Sequence, residues 1–208
     1  MPERGNIYQK LILAAQATLD ATGALPDSLE DLAELSDLDV ETVSQVFTSV
    51  DELRDGLIYQ GVALLNDELR RGVIESGSDS PERQLRSLGR SYALWAEANP
   101  GLFRLIVEGL NQPIDEDSTL CRFTMAMRDL FERKLHEMRD RGLLPRETDI
   151  APIMMVIHCI VRGANAIFLT RAFDPWTVND PRPTSQIVCE MFDFFLDNLL
   201  AIKPVEPA

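Results

Sequence analysis

Two histidines and three cysteines are the side chains in this chain best suited to nucleophilic, acid–base or metal chemistry. His136 lies in the charged run Arg133-Lys134-Leu135-His136-Glu137, which reads as a solvent-facing stretch of helix. His158 lies in an apolar stretch, four residues before Arg162, so the two share one helix face. Cys121, Cys159 and Cys189 are far apart and lack the paired spacing of a zinc site or a disulfide framework. No glycine-rich phosphate loop, G-x-S-x-G or H-E-x-x-H is present, and no nucleophile has a recognisable base. The expectation is a non-enzyme with neither cofactor nor metal. The remaining chemistry is that of binding. An arginine inside an apolar helix calls for a carboxylate or an anionic ligand, because an unpaired buried charge is costly. Glu97, Glu108, Asp193 and Asp197 are the structural carboxylates considered for that role.

The elements that must position these groups are helical. Of 208 residues, 45% are hydrophobic, enough for one good-sized core or for a small domain joined to a larger one. Apolar positions recur at spacings of three and four throughout, and no segment asks to be a strand. A first helix spans about 6–22 and stops at Gly23. Ser28 caps a short second helix, with Asp31 three residues on, and Asp39 caps a third over Val40 to Val46. Ser49 and Glu52 form an S-x-x-E capping box that opens a long fourth helix. Further helices are predicted from Ser80-Pro81 and around 100–109, 117–141, 147–173 and 183–202. The fold expected is all-α, about nine helices. A helix-turn-helix module occupies 1–55, a larger helical domain 56–203, and a disordered tail 204–208. The richest apolar stretch, Ile150 to Leu169, is interrupted by His158, Arg162 and Asn165 and reads as a buried helix, not a membrane span. The start carries no long apolar run, so no signal peptide is expected, and the cysteine usage fits a reducing cytoplasm.

Three short helices and a long fourth, with a tight turn at Ser36-Asp37-Leu38, describe a helix-turn-helix. The pattern Leu13-Ala14-Ala15, Gly23, Leu29-x-x-Leu32-Ala33, then Leu38-Asp39-x-x-Thr42-Val43-x-x-x-Phe47-x-Ser49-x-x-Glu52-Leu53 resembles the N-terminal domain of the TetR family. The resemblance covers about the first 55 residues. It implies a homodimeric transcriptional regulator in which an effector, bound in the larger domain, changes the spacing of two DNA-reading modules.

The departures concern the outward half of the motif. Where the family carries Tyr, His and Lys to grip phosphates, this chain has Ser44, Val46 and Val50. The family's turn glycine is Asp37, and Glu41 replaces a small residue. The DNA-facing set is thus Asp39, Val40, Glu41, Thr42, Ser44, Gln45, Val46, Thr48 and Val50. Residues 1–55 hold three bases, Arg4, Lys10 and Arg54, against twelve acids, a net −9 out of the chain's −14. A carboxylate meeting a phosphate costs about 1 kcal/mol at contact even in bulk water. Nonspecific affinity depends on Lys and Arg contacts. Thr42, Gln45, Thr48 and Ser49 can donate hydrogen bonds, but such contacts position a protein already held by charge. DNA is therefore a disfavoured partner, as is an anionic membrane. Three readings stay open: repression through unusual contacts, a module kept only for packing, and an acidic face that docks a basic protein.

For the larger domain the resemblance implies an effector pocket and a dimer interface through the last two long helices. Tyr92, Trp95, Phe103, Met125, Met127, His158, Arg162, Asn165 and Phe168 offer the apolar walls and few polar groups that a small hydrophobic or anionic effector needs. The helix over 183–202 is apolar around more of its circumference than a monomer buries, and Gly163 permits close helix approach. Gly163, Ile187, Met191, Phe194, Phe195 and Asn198 are the dimer-interface candidates, since such a surface left bare would aggregate.

Overall fold

The computed structural model describes residues 2–201, and the side chains of 5–201. Within that range it is all-helical, with nine helices and no strand: α1 (Pro2–Thr22), α2 (Leu29–Ser36), α3 (Val40–Ser44), α4 (Val50–Glu75), α5 (Pro81–Ala98), α6 (Pro100–Leu110), α7 (Thr119–Asp140), α8 (Ile150–Thr170) and α9 (Thr184–Leu200). The tail expected over 204–208 lies outside the described residues. The chain divides into two compact units. The first comprises residues 1–64 and 99–120, the second 65–98 and 121–208. The boundary expected at residue 55 falls inside α4, which runs unbroken through the division.

The first unit starts from local signals. Gly23 closes α1, its N–H donating to the Leu19 carbonyl at 2.8 Å. Ser28 accepts from the Asp31 N–H at 3.1 Å and so caps α2. Asp37 ends α2 in the left-handed region, φ 52°, where its N–H and that of Leu38 reach back to the last carbonyls of the helix. Leu32, Val43, Phe47, Leu53 and Leu57 all point inward and are buried. To these α6 adds Leu102, Phe103 and Ile106. Its approach to α1 is close: a Cβ on Gly101 would stand 2.8 Å from Leu19 Cγ, so only glycine fits. This contribution from α6 was not expected from the sequence.

In the second unit α5 and α9 pack antiparallel. Arg86, near the start of α5, donates to Asp193 Oδ1 at 2.8 Å and Asp197 Oδ1 at 2.6 Å in the second half of α9. Glu97, near the end of α5, accepts from the backbone N–H of Ser185 at 3.2 Å and from its hydroxyl, at the start of α9. Between them a Cβ on Gly89 would lie 2.6 Å from the Phe192 ring, which makes glycine a condition of the crossing. Phe192 in turn meets Phe131 edge-on at 6.3 Å. Ala93, Ala164 and Val188 bring α5, α8 and α9 into one apolar cluster.

Candidate functional site

The outward face of the helix-turn-helix is assembled by its caps. Asp39 precedes α3 and its carboxylate accepts from the Thr42 N–H at 2.7 Å and the Thr42 hydroxyl at 2.9 Å. Glu52 does the same one helix later, accepting from the Thr48 N–H at 2.7 Å and the Thr48 hydroxyl at 2.8 Å. The capping box expected there is therefore shifted. Ser49 Oγ accepts from the Glu52 N–H at 3.1 Å, but the Glu52 carboxylate reaches Thr48 instead of Ser49. Hydrogen bonds from the Thr42 backbone and hydroxyl hold the Asp39 pKa below its ordinary value. The Thr48 backbone and hydroxyl do so for Glu52.

Asp39, Val40, Glu41, Ser44, Gln45 and Thr48 are exposed, and Thr42, Val46 and Val50 are half-buried. Most of these residues lie at the outer surface, and the chemistry of the face is already engaged. Two of its hydroxyls donate to neighbouring carboxylates. The helix N-termini, which ordinarily attract phosphate, are met by carboxylates of the same chain.

The nine residues proposed for an effector pocket do not form one group. Tyr92 and Asn165 do meet: the Tyr92 hydroxyl donates to Asn165 Oδ1 at 2.7 Å. Burial raises the Tyr92 pKa, against the opposing effects of the Asn165 hydrogen bond and the nearby charge of Arg162. Asn165 is buried, and its Nδ2 is a donor with no hydrogen-bond partner. Trp95 is buried, and Phe168 packs against the Ala93–Ala164–Val188 cluster. Phe103 belongs to the core of the first unit, Met125 is exposed and Met127 half-buried.

Arg162 is not a buried charge, contrary to the expectation from the sequence: His158 and Arg162 are both exposed. Of the carboxylates considered for it, Asp193 and Asp197 bind Arg86, and Glu97 binds Ser185. α8 is not buried all round within its own chain. Its buried stripe is narrow, Ile150, Ile157 and Ala164 at intervals of seven, joined by Asn165. By length and composition α8 could cross a membrane, yet only 17% of its most apolar stretch is buried within the chain.

What α8 exposes is an open apolar groove of about 510 Å³. Pro152, Met155, Val156, Cys159, Ile160 and Gly163 line it, with Met191 from α9. Gly163 and Met191 were interface candidates. Of the others, Phe194 is 71% exposed, Ile187 and Phe195 are half-buried, and Asn198 is exposed, with its amide donating to the Phe194 carbonyl at 2.7 Å. Sequence reasoning missed Arg86, whose partners lie more than a hundred residues away. It also passed over Trp176, which lies between the helices predicted around 147–173 and 183–202.

No family model and no curated protein sequence matches the chain. Solved structures match nearly all of it. A protein of unknown function from Rhodococcus sp. RHA1 is 22% identical, covers 93% of this chain and 95% of its own, and has a TM-score of 0.74. A putative TetR-family transcriptional regulator from Syntrophomonas wolfei is 14% identical over 97% of this chain and 98% of its own, with a TM-score of 0.61. AibR, solved with isovaleryl coenzyme A and operator DNA, is 15% identical over 93% and 98%, with a TM-score of 0.65. The fold is that of TetR-family regulators. Within the TetR fold, identities this low carry architecture and not residue roles, so the acidic caps of α3 and α4 remain features of this chain.

Proposed function

We propose that the chain is a homodimeric, cytoplasmic TetR-type regulator that senses a small molecule and has lost most of its direct grip on operator DNA. The observation that carries the second half of this reading is the pair Asp39 and Glu52. Each holds its carboxylate on the backbone N–H and hydroxyl of a threonine at the outer face, on a module already strongly negative. Phosphates approaching there meet like charge and donors already in use. The first half draws on the fold, on the exposed apolar face of α8 and α9, and on the buried Asn165 amide. That amide offers one donor to an acceptor-bearing effector, with Tyr92 fixing its orientation. A hydrophobic group with a polar or anionic end suits such surroundings, a class consistent with the acyl thioester bound by AibR. The non-enzymatic reading follows from the same likeness to regulators.

A second reading is favoured by the exposed carboxylates Asp37, Asp39 and Glu41: the acidic face docks a basic protein instead of a duplex. One binding series separates the two. Duplex binding to genomic fragments is measured at low salt for the native chain and for Val46→His with Val50→Lys. Only the substituted protein is expected to gain affinity, and that gain should vanish as salt rises. Tight, sequence-selective binding by the native chain at physiological salt would overturn the loss of DNA grip. A basic partner that binds regardless of neutralising Asp37 and Glu41 would remove the docking reading.

A further inference from the structure

Trp176 is 95% exposed and Phe173 72% exposed, both on the segment between α8 and α9. That segment is firmly built. Arg171 donates to the Thr184 hydroxyl at 2.8 Å, to the Asp180 carbonyl at 2.6 Å and to the Arg182 carbonyl. Arg182 pairs with Asp180 and Glu190, and the Trp176 N–H is held by Asp174 Oδ1 at 2.9 Å. A large aromatic side chain is therefore displayed on a braced loop with almost none of its surface covered. The same unit carries the open groove over Pro152–Gly163 and Met191. The two features are far apart along the chain's own helix: from residue 158 to the end of α8 is about 18 Å at 1.5 Å per residue.

We propose that Trp176 of one copy seats in the α8 groove of a second copy, so that each groove takes its lining from one chain and its occupant from the other. This rests on the homodimer reading above and specifies what that interface contains. The register supports it. A Cβ at Gly163 would meet nothing within 4 Å, so a second helix can approach there. A two-fold axis through Gly163 sets residues equally distant on either side opposite each other in antiparallel α8 helices. Thr170, the last residue of α8, then faces Val156, seven residues to either side, so the segment that carries Trp176 starts beside the Pro152–Val156 end of the partner's groove. Because the contact is isologous it is made twice.

The areas agree. Trp176, Phe173 and Phe194, at their observed exposures, present roughly 400–500 Å² of apolar surface. Exposed Met155 and Val156 add to this, against the ~800 Å² a side of a stable interface.

The test uses the full chain and its own fluorescence. Trp95 is buried and Trp176 is not, so the difference between native protein and Trp176→Phe is the emission of Trp176 alone. Light scattering across a dilution series reports the oligomeric state in parallel. In the dimer, Trp176 emission should be blue-shifted and should lose most of its quenching by acrylamide. Dilution to monomer should restore both. Trp176→Ala should raise the dimer dissociation constant by about tenfold or more. In a Cys159→Ser background, Met155→Cys with Trp176→Cys should cross-link the two chains on oxidation. A dimer whose Trp176 stays red-emitting and freely quenched would overturn the insertion while leaving the dimer standing. A chain that is monomeric at every concentration would remove the homodimer reading as well.

Discussion

The two units of this chain leave opposite things unsatisfied. In the first, the groups that would meet a ligand are already engaged with one another: Thr42 with Asp39 and Thr48 with Glu52. In the second, binding capacity is left over. An asparagine amide nitrogen is buried without a partner, an apolar groove is open, and three aromatic rings stand in solvent. A polar surface that is internally closed contributes solubility and local order; an apolar surface left open calls for company. The binding capacity left unengaged lies in the second unit, although the sequence motif lies in the first.

The contrast can be broken most directly at Phe194. Phe194→Asp places a charge on the exposed α9 face, and the dimer dissociation constant should rise by about 100-fold or more, close to 3 kcal/mol. Sedimentation of native and variant protein checks this; an unchanged constant would place the interface elsewhere. A smaller effect sharpens the reading of the buried pair. Tyr92→Phe removes the donor to Asn165 and should cost about 1–3 kcal/mol in urea unfolding, whereas Tyr92→Phe with Asn165→Leu should come close to neutral. If an effector engages Asn165, the double variant should keep its stability and lose the ligand-induced rise in Tm.

The smallest effect concerns the caps. Asp39 and Glu52 both have pKa values depressed in the folded chain, from ordinary values of 3.8 and 4.5. Their contribution to stability is therefore complete above those values and is lost as pH falls through the lower, folded ones. Carboxyl NMR titration should place both midpoints below 3.8 and 4.5 respectively, and Thr42→Val should move that of Asp39 upward.

What the sequence disclosed was what depends on near neighbours. Ser28, Asp39 and Ser49 act as caps because a cap needs only the next three residues. Val43 and Phe47 are buried because a three-and-four spacing fixes which face turns inward. The reach of Arg86 to Asp193 and Asp197 was invisible, since nothing local to Arg86 names a partner on α9. The exposure of His158 and Arg162 was misjudged for a related reason. An apolar helix suggests burial on every side, but α8 buries only one stripe within its own chain, and composition does not say whose surface covers the rest. Tyr92 and Asn165 both stand among the effector-pocket candidates of the sequence; their mutual hydrogen bond depends on how α5 and α8 pack.

The seating of α6 in the first unit has a consequence for anyone wishing to transplant the N-terminal module. Leu102, Phe103 and Ile106 complete its interior, yet they are encoded downstream of a stretch that belongs to the other unit. A cut after residue 64 would leave the part of α4 around Gly61 without the Leu102 and Ile106 side chains beside it, and Leu19 without the α6 backbone at Gly101. The N-terminal module of this chain is not a cassette: fusing it to another domain would require carrying α6 along, or designing a replacement lid.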